Sequence, residues 1–240
     1  MPPGRVVGPA SARAPEPGRR PLLVNLSGGV DSLYATWRLL SDGYRLVVHH
    51  CVMRNSEGRA DVELDAVTVA LAWLRRNRLR GFDYVQSGYD HGTLGRLPYD
   101  VEVIGFFTGV ILRDPARHRI KTVVVSANAS DPSVRNPTSP RIVRRRQIAE
   151  ATAGRKLEWW IPYGDVTKQQ MVEQLPDELL AAAWWCRRPA GTTTCGRCRP
   201  CREVTENPRV GQLQLAATEE VDDERRATDR ATDRGVRSGS

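Results

Sequence analysis

Between Pro21 and about Trp185 the chain alternates short apolar runs with amphipathic helical patterns, and this alternation restricts it to a sheet covered by helices. The runs PLLVNL, YRLVVHHCV, FDYVQSG, KTVVVSAN and KLEWWIP read as five strands. Between them LYATWRLLSDG, DVELDAVTVALAWLRRN, VEVIGFFTGVIL and PRIVRRRQIAEATAG read as helices, the first stopping at Gly43. Each return to the sheet through a helix makes neighbouring strands parallel, and right-handed crossovers spread the helices over both faces. The predicted class is α/β, a parallel five-stranded doubly wound sheet with a small C-terminal appendage. Ligands of such sheets bind at the carboxyl ends of strands, near a reversal of strand order.

With 240 residues, 40% of them hydrophobic, the chain can bury one sizeable core. Residues 1–20 hold five prolines and no aromatic side chain, so they read as a disordered extension. The catalytic domain is expected over 21–185, a four-cysteine knot over 186–203 and a disordered tail over 204–240. That tail mixes acids with arginines and repeats ATDR at Ala227–Arg230 and Ala231–Arg234, too short a repeat to build a solenoid. No run approaches the length of a membrane span and no signal peptide is evident, so a soluble cytoplasmic protein is expected, with no membrane partner. The net charge of +8 is nearly all arginine, with lysine only at Lys121, Lys156 and Lys168, and does not by itself indicate a nucleic-acid partner. The densest run, Arg144, Arg145 and Arg146, falls in a predicted helix and reads either as a solvated face or as a phosphate contact.

The first strand runs through Leu26 into Ser27-Gly28-Gly29-Val30-Asp31-Ser32 and then into a helix. Glycines let backbone approach an anion, amides at a helix start point at it, and the hydroxyls of Ser27 and Ser32 can add donors. Asp31 cannot bind phosphate directly; the role that suits it is to hold Mg²⁺ against phosphate oxygens. A capped glycine turn is the plainer reading of the same residues. No Gly-Lys-Ser/Thr ending follows, which sets the loop apart from the Walker type.

Near the C-terminus Cys186, Cys195, Cys198 and Cys201 form a C-x8-C-x2-C-x2-C array. Four thiolates at this spacing suit a closed tetrahedral Zn²⁺ site, with disulfides or an iron–sulfur centre as the rival accounts. The fifth cysteine, Cys51, follows His49 and His50 at the end of the second strand and reads as a small buried hydrophobe. Adjacent strand residues face opposite ways, so at most one of the two histidines is expected to reach the site.

The string SGGVDS, placed after the first strand and before a helix, resembles the signature of the PP-loop ATP pyrophosphatases, the adenine nucleotide alpha hydrolase-like enzymes that cleave ATP to AMP and pyrophosphate. Together with SANASDPS after the fourth strand, Thr167-Lys168 opening a helix after the fifth, and the cysteine array, it resembles in order the 7-cyano-7-deazaguanine synthase family of queuosine biosynthesis, over roughly Leu22 to Glu203. The resemblance implies a zinc-binding homodimeric ligase that uses ATP, Mg²⁺ and ammonia to turn the carboxylate of 7-carboxy-7-deazaguanine into an amide and then a nitrile. It also implies active-site roles for Asn128, Asp131 and Lys168. On their own, Asp131 reads equally as a turn initiator before Pro132, and Lys168 as an ordinary first-turn residue.

Two segments depart from the family's pattern: HHCVMRNSEGR after the second strand and LPYDVEVIGFF before the third helix. Both are expected near the substrate, so ATP use is better supported than the acceptor. Other PP-loop enzymes stay open as alternatives, including an amide-forming deazapurine enzyme and tRNA-modifying thiolases or lysidine-type ligases. Sulfur insertion commonly needs free cysteine, and a four-thiolate metal site leaves only Cys51. A zinc-knot protein that binds nucleic acid without catalysis is the alternative from another class.

Overall fold

The structure is a computed structural model that describes residues 6–7, 15–94 and 100–213. In chain order the elements are β1 (Val6–Val7), β2 (Leu22–Asn25), α1 (Val30–Ser41), β3 (Leu46–Arg54), α2 (Ala60–Arg76), β4 (Phe82–Asp90), α3 (Asp100–Arg113) and β5 (Thr122–Val124). They continue as α4 (Pro132–Arg135), α5 (Pro140–Ala153), β6 (Glu158–Trp160), α6 (Lys168–Gln174), α7 (Asp177–Ala182) and α8 (Arg199–Thr205).

The five expected strands form and pair in parallel in the order β6, β5, β2, β3, β4. Val24 sits between Val48 of β3 and Val124 of β5, so β2 is the middle of the sheet. Counted along the chain, the five run fifth, fourth, first, second, third, and the direction of winding reverses between β2 and β5. A doubly wound sheet leaves its ligand crevice there, outside the carboxyl ends of those two strands.

Alternation along β2 divides the core. Leu22 and Val24 join Leu33, Tyr34, Val67, Leu71, Met171 and Leu179 on the face covered by α1, α2, α6 and α7. Leu23 joins Val123, Ile111, Leu112, Ala149 and Trp159 on the face covered by α3 and α5. Full burial of each such aliphatic side chain contributes roughly 1.5–3 kcal/mol. The pair α3 and α5 packs backbone to backbone: a Cβ on Gly105 would lie 2.9 Å from the Arg145 carbonyl oxygen, and one on Gly109 2.6 Å from that of Ala149.

Three expectations need correction. The N-terminal extension is not wholly without structure, because Val6–Val7 pair antiparallel with Trp159 and Trp160 along the free edge of β6. The tail does not begin at 204: residues 208–213 are helical, and Val204, Asn207 and Val210 are buried against the main core. An apolar residue every few positions (Val204, Val210, Leu213) was the signal for this, obscured by the arginines and acids around it. The run Arg144–Arg146 is only in part the solvated face expected of it. Arg145 and Arg146 lie over the Trp159 ring, 5.5 and 5.9 Å from its centroid, and the exposed Arg144 pairs with Glu102 at 2.7 Å. Burial brings the Arg145 guanidinium down to about 10. No helix among the described residues is long and apolar enough to cross a membrane.

Candidate functional site

The loop after β2 is shaped by one backbone conformation and one hydroxyl. Gly28 has φ +78°, and a Cβ there would sit 3.0 Å from Ala66 Cβ and 3.1 Å from the Glu63 carbonyl oxygen, so glycine is needed for conformation and for closeness to α2. The buried Ser32 hydroxyl accepts the Ser27 N–H at 3.1 Å and donates to the Gly29 carbonyl at 3.0 Å. Ser32 therefore ties the loop together. Ser27 is exposed, its hydroxyl 3.1 Å from that of Ser32. Leu26 and Val30 point their side chains into the core, so either can offer only backbone to a ligand. The Gly28 carbonyl is held from behind by the Trp184 N–H at 2.9 Å.

At the reversal point three distant residues meet. Asp31, in the first turn of α1, takes a hydrogen bond from Asn128 Nδ2 at 3.0 Å on Oδ1 and an ion pair from Lys168 on Oδ2. Asn128 comes from the loop after β5, is buried, and has its Oδ1 fixed by the Ser130 N–H at 2.8 Å. Lys168 is the first residue of α6, where Thr167 makes a capping box with Gln170: the Thr167 hydroxyl accepts from the Gln170 N–H at 3.2 Å and Gln170 Oε1 accepts from the Thr167 N–H at 2.9 Å. A cap of this kind fixes where the helix begins and so where the ammonium stands. Asp131 takes the turn-initiating role, its carbonyl accepting the N–H groups of Val134 and Arg135 at 3.0 and 3.1 Å. Its carboxylate acts on the guanidiniums of Arg145 and Arg199.

The segment HHCVMRNSEGR begins on β3, next to β2. His49 is buried, its two ring nitrogens 2.8 Å from Asn25 Oδ1 and from Ser87 Oγ, and burial followed by the nearby His50 brings it down to about 4. His50 is equally buried and donates through Nδ1 to the Leu26 carbonyl at 2.8 Å, on the strand that leads into the loop. Both rings therefore make bonds that tie β3 to its neighbours and to the loop after β2. Cys51 is buried, and burial pushes its thiol up. The segment Gly95–Tyr99, which includes the start of LPYDVEVIGFF, lies outside the described residues.

One cluster here was missed from the sequence. Arg59 ends the segment HHCVMRNSEGR, with its guanidinium almost wholly buried between Glu57, Glu63 and Asp100, the last at 3.1 Å. One cation bonds to three carboxylates, with Arg187 acting on Glu63 from farther away. Burial works against the charge on Arg59, but Glu63 and Asp100 keep it firmly protonated. Burial raises Glu63 to about 7, with Arg59 opposing and Asp100 adding to the rise. The i,i+4 spacing of Arg59 and Glu63 at a helix start was the available signal.

Around the four cysteines, all Sγ atoms lie within 4.8 Å of one another and none is in a disulfide. A single tetrahedral ion with metal–sulfur bonds of about 2.3 Å would hold them roughly 3.8 Å apart. A four-iron cluster places each thiolate on a separate iron and needs a wider set. Backbone N–H groups already point at the sulfurs: Cys195 N–H at 3.2 Å and Arg188 N–H at 3.4 Å to Cys186 Sγ, and Cys198 N–H at 3.3 Å to Cys195 Sγ. Donors of this kind favour thiolate, and those of Arg197 and Cys198 bring Cys195 down to about 6.

No protein-family model matches the chain, and no curated protein does. Among solved structures it is similar to the U34-tRNA thiolase NcsA from Methanococcus maripaludis with its 4Fe–4S cluster, at 14% identity and a TM-score of 0.44, over 80% of this chain and 66% of that one. It is also similar to a 4-thiouridine synthetase in complex with RNA and bound ATP, at 17% identity and a TM-score of 0.41, over 83% of this chain and 53% of that one. The chain thus spans less than two thirds of the length of either structure.

Proposed function

We propose that this chain is a PP-loop ATP pyrophosphatase that activates a carboxylate by adenylation, and that its acceptor is 7-carboxy-7-deazaguanine, carried through the amide to the nitrile with ammonia. The observation that carries the reading is the meeting of Asp31, Asn128 and Lys168 from positions 97 and 137 residues apart, at the end of a glycine loop and at the reversal of strand order. A triphosphate cradle needs this combination: backbone amides at a helix start, a carboxylate for a divalent ion, and a cation for the departing pyrophosphate. Asp31 would hold Mg²⁺, since each of its oxygens keeps a second lone pair beyond the bonds from Asn128 and Lys168, and the ion supplies charge neutralisation. The four cysteines would hold Zn²⁺ as a structural ion.

Two cycles at one site account for the chemistry. A carboxylate oxygen attacks the α-phosphorus and pyrophosphate leaves; ammonia then displaces AMP to give the amide. The amide oxygen takes a second AMP group from a second ATP, and loss of that AMP with two protons leaves the nitrile. Both cycles put an oxygen on the same phosphorus, so Lys168 and the loop amides stabilise the same leaving group twice. Sulfur transfer, the neighbouring chemistry, draws no support from Cys51, whose thiol is buried and pushed up. Mass spectrometry of a mixture of ATP, Mg²⁺, ammonia and the acid is expected to show two AMP and two pyrophosphate per nitrile. Accumulation of ADP and phosphate instead would end the pyrophosphatase reading. AMP formed without amide or nitrile would end the acceptor assignment alone.

A further inference from the structure

The cysteine cluster is bonded to both halves of the candidate phosphate site by separate routes. On one side Trp184 donates its backbone N–H to the Gly28 carbonyl at 2.9 Å and its indole N–H to the Cys186 carbonyl at 3.0 Å. One residue therefore touches the glycine loop and the first cysteine. On the other side Gln169, the neighbour of Lys168, donates to the Glu203 carbonyl of α8 at 2.8 Å and accepts from Asn207 Nδ2 at 2.9 Å. Helix α8 begins just after Cys198 and carries Cys201, which is fully buried. Arg209, a few residues on, donates to the Val172, Glu173 and Leu175 carbonyls at 2.6, 2.8 and 2.6 Å and pairs with Asp177, so it satisfies the end of the helix that Lys168 begins.

Between the two routes the chain has little else to hold it. Residues 187–197 contain one isolated bridge, Ala190 with Thr193, and no helix or strand. An ion bound by Cys186 and Cys201 together would join the Trp184 route to the α8 route across this weak segment. Taking up such an ion orders a segment, and the order passes to whatever the segment is bonded to.

We infer that the cysteine cluster is a positioning device for the nucleotide: an ion on its four thiolates fixes the Gly28 loop and the Lys168 helix relative to each other, and its occupancy sets the affinity for the triphosphate. Trp184 and Gln169 are the positioning residues. This rests on the phosphate-site reading above. Coupling of two sites is reciprocal, so the nucleotide must tighten the metal by the same factor by which the metal tightens the nucleotide. A cluster that merely supports the fold would show no such change.

The test uses the Zn²⁺-loaded protein, Mg²⁺ and an ATP analogue with a methylene between the α and β phosphates. Zn²⁺ affinity is measured by chelator competition with and without saturating analogue, and analogue affinity by calorimetry. The expected result is about a tenfold gain in Zn²⁺ affinity with analogue bound. The gain is expected to shrink to threefold or less in Gln169→Ala, with one Zn²⁺ per chain still bound. The measurement starts from loaded protein, so it does not require a folded metal-free form. If the analogue binds and Zn²⁺ affinity is unchanged, the inference is overturned while the phosphate site stands. If the gain in Gln169→Ala equals that of the wild type, the α8 route is overturned. If the loaded protein does not bind the analogue at all, the phosphate reading fails and this inference fails with it.

Discussion

Two charged clusters stand at the same edge of the sheet, on either side of the glycine loop, and they are built on opposite plans. Around Asp31 one carboxylate meets one ammonium and one amide, so the charges balance and each partner is part-exposed, at 17% for Lys168 and 28% for Asp31. Around Arg59 one guanidinium meets three carboxylates; Arg59 and Glu63 at its centre are only 9% exposed, while Glu57 and Asp100 at its rim are 32% and 21% exposed. A balanced, wetted pair can exchange partners when phosphate and a divalent ion arrive. An acid-rich cluster with a dry centre cannot release the guanidinium at that centre without stranding charge, so it holds shape and keeps a proton on Glu63 near neutral pH. Proximity to a pocket therefore does not make an ionic cluster catalytic; its charge count and exposure decide what it can do.

The largest effect expected from this contrast is on turnover. Lys168→Ala should lower AMP formation about a thousandfold, the typical loss of a donor to developing negative charge. Its effect on the urea midpoint should stay below about 1 kcal/mol, because the pair is partly solvated. Arg59→Met should do the reverse and cost about 3 kcal/mol of stability at pH 8, since three carboxylates are left facing one another. A thousandfold loss of turnover in Arg59→Met with an unchanged midpoint would erase the distinction between the clusters.

The smallest and most specific effect is on pH dependence. Glu63 has an ordinary value of 4.5 and stands near 7 in the fold, so between these values the folded chain holds a proton that the unfolded chain has lost. Stability from this group is thus greatest at low pH and falls as pH rises from about 4.5 to about 7. Glu63→Gln keeps an acceptor for Arg59 and should be more stable than the wild type at pH 8 by about 2 kcal/mol, with little difference at pH 4.5. His49 acts in the opposite sense. Its value is lowered to about 4 from 6.5, so its contribution is lost as pH falls through that interval. Urea titrations of both proteins at half-unit steps from pH 4 to 8 resolve the two, and a flat difference between wild type and Glu63→Gln would refute the proton on Glu63.

The sheet was legible because each strand is an apolar run bounded by polar loops, and patterns of period two and 3.6 are local properties of a sequence. The glycine loop and the cysteine array were legible for the same reason, being contiguous or nearly so. What the sequence obscured was long-range. Trp184 acts through its backbone N–H, which no side-chain identity announces, and Gln169 is an unremarkable helix residue until α8 lies against it. Arg145 and Arg146 read as solvated because their composition gives no hint of Trp159, a neighbour across the sheet face. Ser32 fits a phosphate ligand by pattern, and the pattern gives no hint of its bonds to Ser27 and Gly29.

The 137 residues that separate Asp31 from Lys168 also set an order in time. A ribosome adding roughly 5–20 residues per second delivers the glycine loop early and its lysine on the order of ten to thirty seconds later. Cys201, the last thiolate, follows Lys168 after a further interval. A nascent chain that has emerged only through β5 therefore carries the loop without its counter-charge, and the pairing of Asp31 with Lys168 becomes a late event of synthesis, arriving with the closing of the C-terminal knot.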